Sequence, residues 1–147
     1  MPAQHVRTLG PVLESLDAVM LTTLDGADRM VSRPMTVCVD NFDGTLWFFA
    51  PITSQVVADI SANPKVNVSY CGPPASLSIT ATATVTPHTL PVLARWRPRL
   101  APWFPDGMNT AATIEVVAER ARLWTSPTPP ARGRHLRPVR GGRHDTF

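Results

Sequence analysis

The chain has 147 residues, of which 44% are hydrophobic and 17% charged, as expected for a globular protein that buries one core. Its apolar runs fall short of the roughly 20 residues that a membrane span needs, and residues 1–8 lack the apolar segment of a secretory signal. We therefore expect a cytoplasmic protein that does not bind membranes, in which Cys38 and Cys71 stay reduced.

The net charge of +3 is distributed unevenly. Residues 126–147 contain five arginines and one aspartate, which leaves nine basic and ten acidic residues in residues 1–125. A nearly neutral body argues against a nucleic-acid-binding face. The last segment is rich in proline and glycine and poor in apolar residues, so it predicts a disordered arm. The expected organisation is one folded domain over residues 1–125 and a disordered tail over residues 126–147.

The first half of the chain predicts a helix and then strands. Apolar residues at helical spacing indicate a helix over residues 4–17, which Gly10-Pro11 would break into two pieces. Alternating patterns separated by turn residues then predict three strands. These strands are expected at residues 18–24, 30–39 and 45–50, the last of them rich in aromatic side chains.

The pattern changes from alternating to helical after Pro51. Apolar residues at helical offsets predict a helix over residues 54–62, with Thr53 or Ser54 capping its first amides. The helix should end at Asn63-Pro64, because proline disfavours helical geometry in the residue before it.

The most regular pattern is the strict alternation of residues 76–86. Apolar residues from Leu77 to Val85 share one face, and only serine and threonine occupy the other. A strand this long, with alanines at its middle, suits a sheet that curves and closes on itself. The elements expected around it are a strand over residues 65–71, a helix over residues 89–100, and either two strands, residues 113–117 and 120–124, or one bent strand.

The order of these elements predicts a mainly β protein, a β-barrel with flanking helices. Helices do not alternate regularly with strands, and no glycine-rich phosphate-binding motif follows the first strand, so a doubly wound sheet is a poor fit. No catalytic acid pair, metal set or hydrolase triad is indicated. The aspartates near turns, where such residues are common for local hydrogen bonding, are Asp25, Asp28, Asp40, Asp43 and Asp106.

Six short motifs, found in order between residues 12 and 125, carry a family resemblance. They read MLTT (20–23), SRPM (32–35), DGTLWFF (43–49), NPKVNVSY (63–70), WFPDG (103–107) and ERARLW (119–124). Together they resemble the general stress protein 26 branch of the pyridoxamine 5′-phosphate oxidase-like, FMN-binding split barrels. The resemblance implies a six-stranded antiparallel split barrel that forms a homodimer and holds FMN, sometimes FAD, in a groove between subunits.

The resemblance also implies where the flavin would be held. The second strand and the aromatic third strand would line the groove, and the helix after the third strand would face the phosphate. Arg33 is the candidate phosphate cation, because guanidinium binds phosphate oxygens in a forked geometry. The helix start offers free amides to an anion. The cofactor-binding residues predicted in this way are Arg33, Pro34, Met35, Phe48, Phe49, Ala50, Ser54, Gln55 and Trp103, and no catalytic residue is indicated.

Two positions depart from the family pattern, in which a lysine is usual at Val56 and a threonine is frequent at Ala50. FMN, FAD, a deazaflavin and the absence of a cofactor therefore all stay open. The leading hypothesis is a flavin-dependent oxidoreductase that acts on an unidentified small molecule. The alternatives are a non-catalytic flavin- or ligand-binding stress protein and a split barrel that has lost its cofactor.

Plainer structural roles stay open for the same residues. Arg33, followed by a proline, could be a surface residue on an edge strand. The aromatic third strand needs no ligand to explain it, because such strands are common in protein cores. Trp103 lies between prolines in an irregular segment, where a large aromatic side chain either covers the core or contacts a partner subunit.

Overall fold

The computed structural model describes residues 1–87, 98–125 and 144–146. Two helices, seven strands and two short 3-10 helices make up this part of the chain. They are α1 (Ala3–Glu14), β1 (Ala18–Leu24), β2 (Met30–Thr36), β3 (Thr45–Pro51), α2 (Gln55–Ala62), β4 (Lys65–Tyr70), β5 (Ala75–Pro87), 3-10 helices at Pro98–Trp103 and Met108–Thr110, β6 (Ala111–Thr125) and β7 (His144–Thr146).

The six main strands form one antiparallel sheet in the order β2-β1-β4-β5-β6-β3. The end strands β2 and β3 come close to each other without pairing, so the sheet curls into a half-barrel with a split between these two strands. The short β7 pairs with β6. The predicted fold, a mainly β, six-stranded antiparallel split barrel with flanking helices, is confirmed.

The core lies inside the curl of the sheet. The alternation predicted for residues 76–86 is observed in β5, whose Leu77, Ile79, Ala81 and Ala83 are buried. Helices α1 and α2 add apolar side chains to this core. A smaller cluster on the outer face of β3 contains Phe49, Leu100, Phe104 and Ala111.

Strand β6 is one long strand, which is one of the two arrangements left open above. Thr80 faces Arg120, but the next residue of β5, Ala81, faces Ala118. Glu119 is therefore an extra residue, a β-bulge. A bulge bends its strand and increases the local twist, which helps the two longest strands to follow the curl of the sheet.

The prediction that α1 is broken at Gly10-Pro11 was wrong, because the helix runs without interruption from Ala3 to Glu14. Pro11 lacks an amide hydrogen and removes one backbone hydrogen bond. It is exposed, however, while Leu9 and Leu13 on either side are fully buried. Packing of this apolar face outweighs the single lost bond.

Three other predicted segments differ from, or lie outside, the observed elements. The strand expected over residues 30–39 ends at Thr36, because Thr36 pairs with Ala18, the first residue of β1. Most of the helix expected over residues 89–100 lies outside the described residues, as does the tail apart from residues 144–146. The two-part organisation of the chain therefore stays a prediction. In the described part, none of the helices combines the length and apolarity that crossing a bilayer requires.

The turn between β4 and β5 gives a test of stability. A Cβ at Gly72 would lie 2.8 Å from the Tyr70 hydroxyl oxygen, and this hydroxyl is held in place by donating to the Pro73 carbonyl, also at 2.8 Å. The φ of Gly72 is +155°, which side chains rarely adopt. We expect Gly72→Ala to lower the free energy of unfolding by about 1–3 kcal/mol in urea titrations.

The matched control is Gly26→Ala in the β1–β2 turn. A Cβ there would meet no atom within 4 Å, so we expect a change within about 0.5 kcal/mol. Equal losses of stability in the two variants would contradict the role assigned to the Tyr70 contact.

Candidate functional site

A buried polar cluster links β1, β2 and α2. Its centre is Asp59, which is only 2% exposed. One carboxylate oxygen, Oδ2, accepts from the Thr23 hydroxyl at 2.9 Å and pairs with Arg33 Nη2 at 3.3 Å. The other, Oδ1, accepts from Gln55 Nε2 at 2.8 Å. A buried carboxylate is tolerated only when paired in this way.

Local structure explains how these side chains meet. Gln55 and Asp59 are four residues apart on α2, so they lie on the same face of the helix. In the β1–β2 hairpin, Arg33 faces Leu21, and its side chain points to the inner side of the sheet, as Thr23 does. The curl of the sheet brings this inner side against α2.

Arg33 keeps hydrogen-bonding capacity while it is paired. Its Nη1 donates to Thr23 Oγ1 at 2.8 Å and, at 3.5 Å, to the Leu21 carbonyl. A guanidinium has five N–H groups, so Nε–H and one N–H of Nη2 have no partner among residues 1–87, 98–125 and 144–146. The side chain is 20% exposed. These two groups can therefore bind one oxygen-rich anion side-on.

Ser54 stands at the N-cap of α2 with an extended backbone, as the sequence predicted. Its side chain, however, makes no capping hydrogen bond. The buried Oγ has no partner in the part of the chain that the structure describes. An unpaired buried hydroxyl is costly, and a ligand oxygen at the free amides of the helix start would satisfy it. This orphaned atom fits a phosphate group.

Two clefts border residues 51–55, the segment that joins β3 to α2. The first, about 460 Å³, lies between the β1–β2 turn and Gln55. The ion pair of Arg29 and Asp25, at 2.8 Å, stands on its wall. Backbone amides of Arg29 and Ala27 donate to the Asp25 carboxylate and lower its pKa, because hydrogen bonds to the charged form favour it.

The second cleft, about 570 Å³, lies between residues 51–53 and residues 103–110. Its rim carries Trp103, which is 68% exposed, and Ile52, which is 37% exposed. Buried Phe104 contributes to its wall. The volume is within the range of small-molecule sites, and large exposed apolar side chains are typical of surfaces that contact a ligand or a partner.

The structure brings some of the predicted site residues together and leaves others apart. Arg33 and Gln55 meet through Asp59, and Ser54 adjoins them in sequence. Trp103 lies in the second cleft instead. Pro34 and Met35 lie with Arg33 on β2, an end strand of the sheet, as a proline in a strand suggests.

The predicted residues of β3 contribute in a limited way. Phe48 and Ala50 point into the main core, and Phe49 belongs to the smaller cluster with Phe104. Their side chains thus have structural partners, and β3 itself is an end strand of the sheet. Val56 is 5% exposed and packs in the core, so the position where the family usually has a lysine is an interior one here.

Sequence reasoning missed Thr23 and Asp59. The signal for Asp59 was present, because it is a charged residue among Val56, Val57 and Ile60 on the apolar face of a predicted helix. In the described part of the chain, no three histidine, cysteine, aspartate or glutamate side chains are grouped so that they could hold a metal ion.

Comparison with known proteins identifies the family. The family model described as pyridoxamine 5′-phosphate oxidase like matches residues 4–132, most of the chain. The chain belongs to this family. None of the curated proteins matches the sequence significantly.

Solved structures share the split-barrel fold at low sequence identity. A Clostridium acetobutylicum protein related to general stress protein 26 is 14% identical, with a TM-score of 0.75 over 100% of this chain and 96% of its own. A Listeria innocua pyridoxamine 5′-phosphate oxidase homologue is 24% identical, with a TM-score of 0.68 over 83% and 99%. The Xanthomonas citri protein named a general stress FMN/FAD binding protein is 19% identical, with a TM-score of 0.71 over 93% and 100%. Flavin binding is thereby supported for the family.

Proposed function

We propose that this protein binds a flavin, FMN or FAD, at the split between β2 and β3, with the phosphate at the start of α2. The observation that carries the proposal is that two N–H groups of Arg33 and the buried Oγ of Ser54 lack partners among residues 1–87, 98–125 and 144–146. Ser54 stands at the start of the eight-residue helix α2, beside its free amides, and Arg33 is paired with Asp59 of the same helix. Family membership supports the same ligand.

The ring would lie along the backbone of β3, an end strand of the sheet, next to the second cleft. Backbone N–H and C=O groups at a strand edge can pair with the polar edge of a tricyclic ring. Trp103 and Ile52 provide exposed apolar surface at the rim of that cleft. In this arrangement, Phe48, Phe49 and Ala50 would contribute through their backbone.

We further propose that two copies of the chain enclose the ring. The exposed Trp103 and Ile52 support this, because large apolar side chains on a rim are commonly covered by a partner. Sedimentation of the purified protein should give twice its monomer mass of 16.0 kDa. A monomer at micromolar concentration would contradict the pairing.

The proposed activity is that of an oxidoreductase acting on a small molecule. A bound flavin would supply the redox chemistry, because it accepts and donates hydride equivalents. The residues of this chain would anchor the phosphate and orient the ring. Residues around the two clefts would exclude water from one side of it.

A specific observation favours a second candidate, a flavin-binding protein without catalysis. The ionisable groups that line the two clefts in the described residues are Asp25, Arg29 and Asp106, and the first two are paired with each other. Neither cleft therefore presents an evident acid–base pair.

Titration with riboflavin, FMN and FAD, followed by flavin fluorescence, tests the binding proposal. Saturable binding of one of them with one site per chain is the expected result. Oxidation of a reduced nicotinamide by the loaded protein would support the oxidoreductase, and its absence would favour the non-catalytic binder. A protein that binds none of the three flavins would contradict both and leave a barrel that has lost its cofactor.

A further inference from the structure

The charges around the start of α2 cancel in pairs. Arg33 is paired with Asp59 at 3.3 Å, and Arg29 is paired with Asp25 at 2.8 Å. Gln55 connects the two pairs, since it binds Asp59 and lines the same cleft as Arg29. The four groups together carry no net charge.

This neutrality affects which phosphates the site can hold. A phosphomonoester such as that of FMN carries a charge of about −1.5 to −2 at pH 7. A phosphate that is esterified twice carries a single negative charge. The start of a helix supplies the equivalent of only about half a positive charge. A singly charged phosphate is therefore balanced far better than a dianion.

Asp59 cannot avoid this interaction by moving away. Its carboxylate is buried, and both oxygens are held by Thr23, Arg33 and Gln55. An anion bound to the remaining N–H groups of Arg33 would share one guanidinium with this carboxylate. The repulsion between them is poorly screened, because burial keeps water and salt away from Asp59.

We propose that Asp59 is a specificity-determining residue, which selects flavins whose phosphate is a singly charged phosphodiester over the phosphomonoester FMN. This inference rests on the proposed flavin binding and deepens it. Asp59 acts through Arg33. It neutralises the positive charge of the guanidinium but leaves the remaining N–H groups able to donate.

The test compares three ligands that differ only at the tail: riboflavin, FMN and the methyl ester of FMN. In the wild-type protein, we expect the methyl ester to bind at least as tightly as FMN, and FMN to bind within about threefold of riboflavin. Asp59→Asn should raise the affinity for FMN about tenfold relative to riboflavin, because it removes one competing charge from a similar shape.

Two further variants keep the test decisive even if the Asp59→Asn protein does not fold. Gln55→Lys adds one positive charge at an exposed position and keeps Asp59, so it should raise the ratio of FMN to riboflavin affinity in the same direction. Glu119→Gln changes the total charge equally at an exposed position of β6 and should leave the ratio unchanged.

The outcomes separate this inference from the proposed function. If wild-type protein binds FMN more than about thirtyfold tighter than riboflavin or than the methyl ester, the selectivity assigned to Asp59 is wrong and flavin binding stands. The selectivity assigned to Asp59 is also wrong if neither Asp59→Asn nor Gln55→Lys raises the ratio of FMN to riboflavin affinity above the ratio measured for Glu119→Gln. If no variant binds any of the three ligands, flavin binding itself fails.

Discussion

Replacing Arg33 with alanine should weaken the binding of FMN and of its methyl ester about ten- to a hundredfold. The variant loses charge-assisted hydrogen bonds to the phosphate, each worth about 1.5–3 kcal/mol. It also leaves the Asp59 carboxylate without its cation, 2% exposed and beside the phosphate position. Both effects act on the phosphate and spare the ring, so riboflavin should lose much less affinity.

Titration of flavin fluorescence with all three ligands measures this difference. Arg120→Ala is the matched control, since it removes an exposed arginine from β6, where Arg120 faces Thr80 of β5. An unchanged FMN affinity in Arg33→Ala would show that the phosphate lies elsewhere. An equal loss for riboflavin and FMN would point instead to general damage to the fold, which thermal unfolding would reveal.

Replacing Asp59 with alanine should lower the free energy of unfolding by about 3 kcal/mol. Breaking a buried ion pair costs about 3–5 kcal/mol, because the remaining charge is desolvated without compensation. The lower end applies, since the Arg33 side chain is 20% exposed and can recover some hydration. Thr23, which is 1% exposed, would also lose the acceptor of its hydroxyl. Urea denaturation monitored by circular dichroism measures the loss.

Two further variants give this prediction its control. The double variant Asp59→Leu with Arg33→Met removes both charges and replaces them with apolar side chains, so it should recover at least half of the lost stability. Glu119→Ala removes an exposed carboxylate and should change stability by less than about 1 kcal/mol. If Asp59→Ala were as mild as Glu119→Ala, the cluster would contribute little to folding.

The pattern of side chains was sufficient to predict the sheet. Alternation in residues 76–86 predicted the buried face of β5, and Pro34 correctly indicated an end strand, since proline cannot donate a ladder hydrogen bond. These are local properties of the backbone and of periodicity. The break expected at Pro11 failed because tertiary packing of α1 outweighs one missing hydrogen bond.

The candidate site was predicted less completely. Arg33 and the helix start at Ser54 came from the family resemblance, and within the described residues both keep donors that have no partner. The partner of Arg33, Asp59, lies 26 residues further along the chain. A local sequence pattern shows that Asp59 is a charged residue on an apolar helix face. It does not show which distant residue pairs with it.

The order of residues along the chain thus established most of the helices and strands, the side of each strand that is buried, and the family to which the chain belongs. The charge of the candidate site depends on folding, because the curl of the sheet packs α2 against β1, where Arg33 of the neighbouring β2 reaches Asp59. A guanidinium that appears in the sequence as a lone cation then shares its charge with a buried carboxylate. Periodicity acts over a few residues, whereas this pairing follows from how distant elements pack.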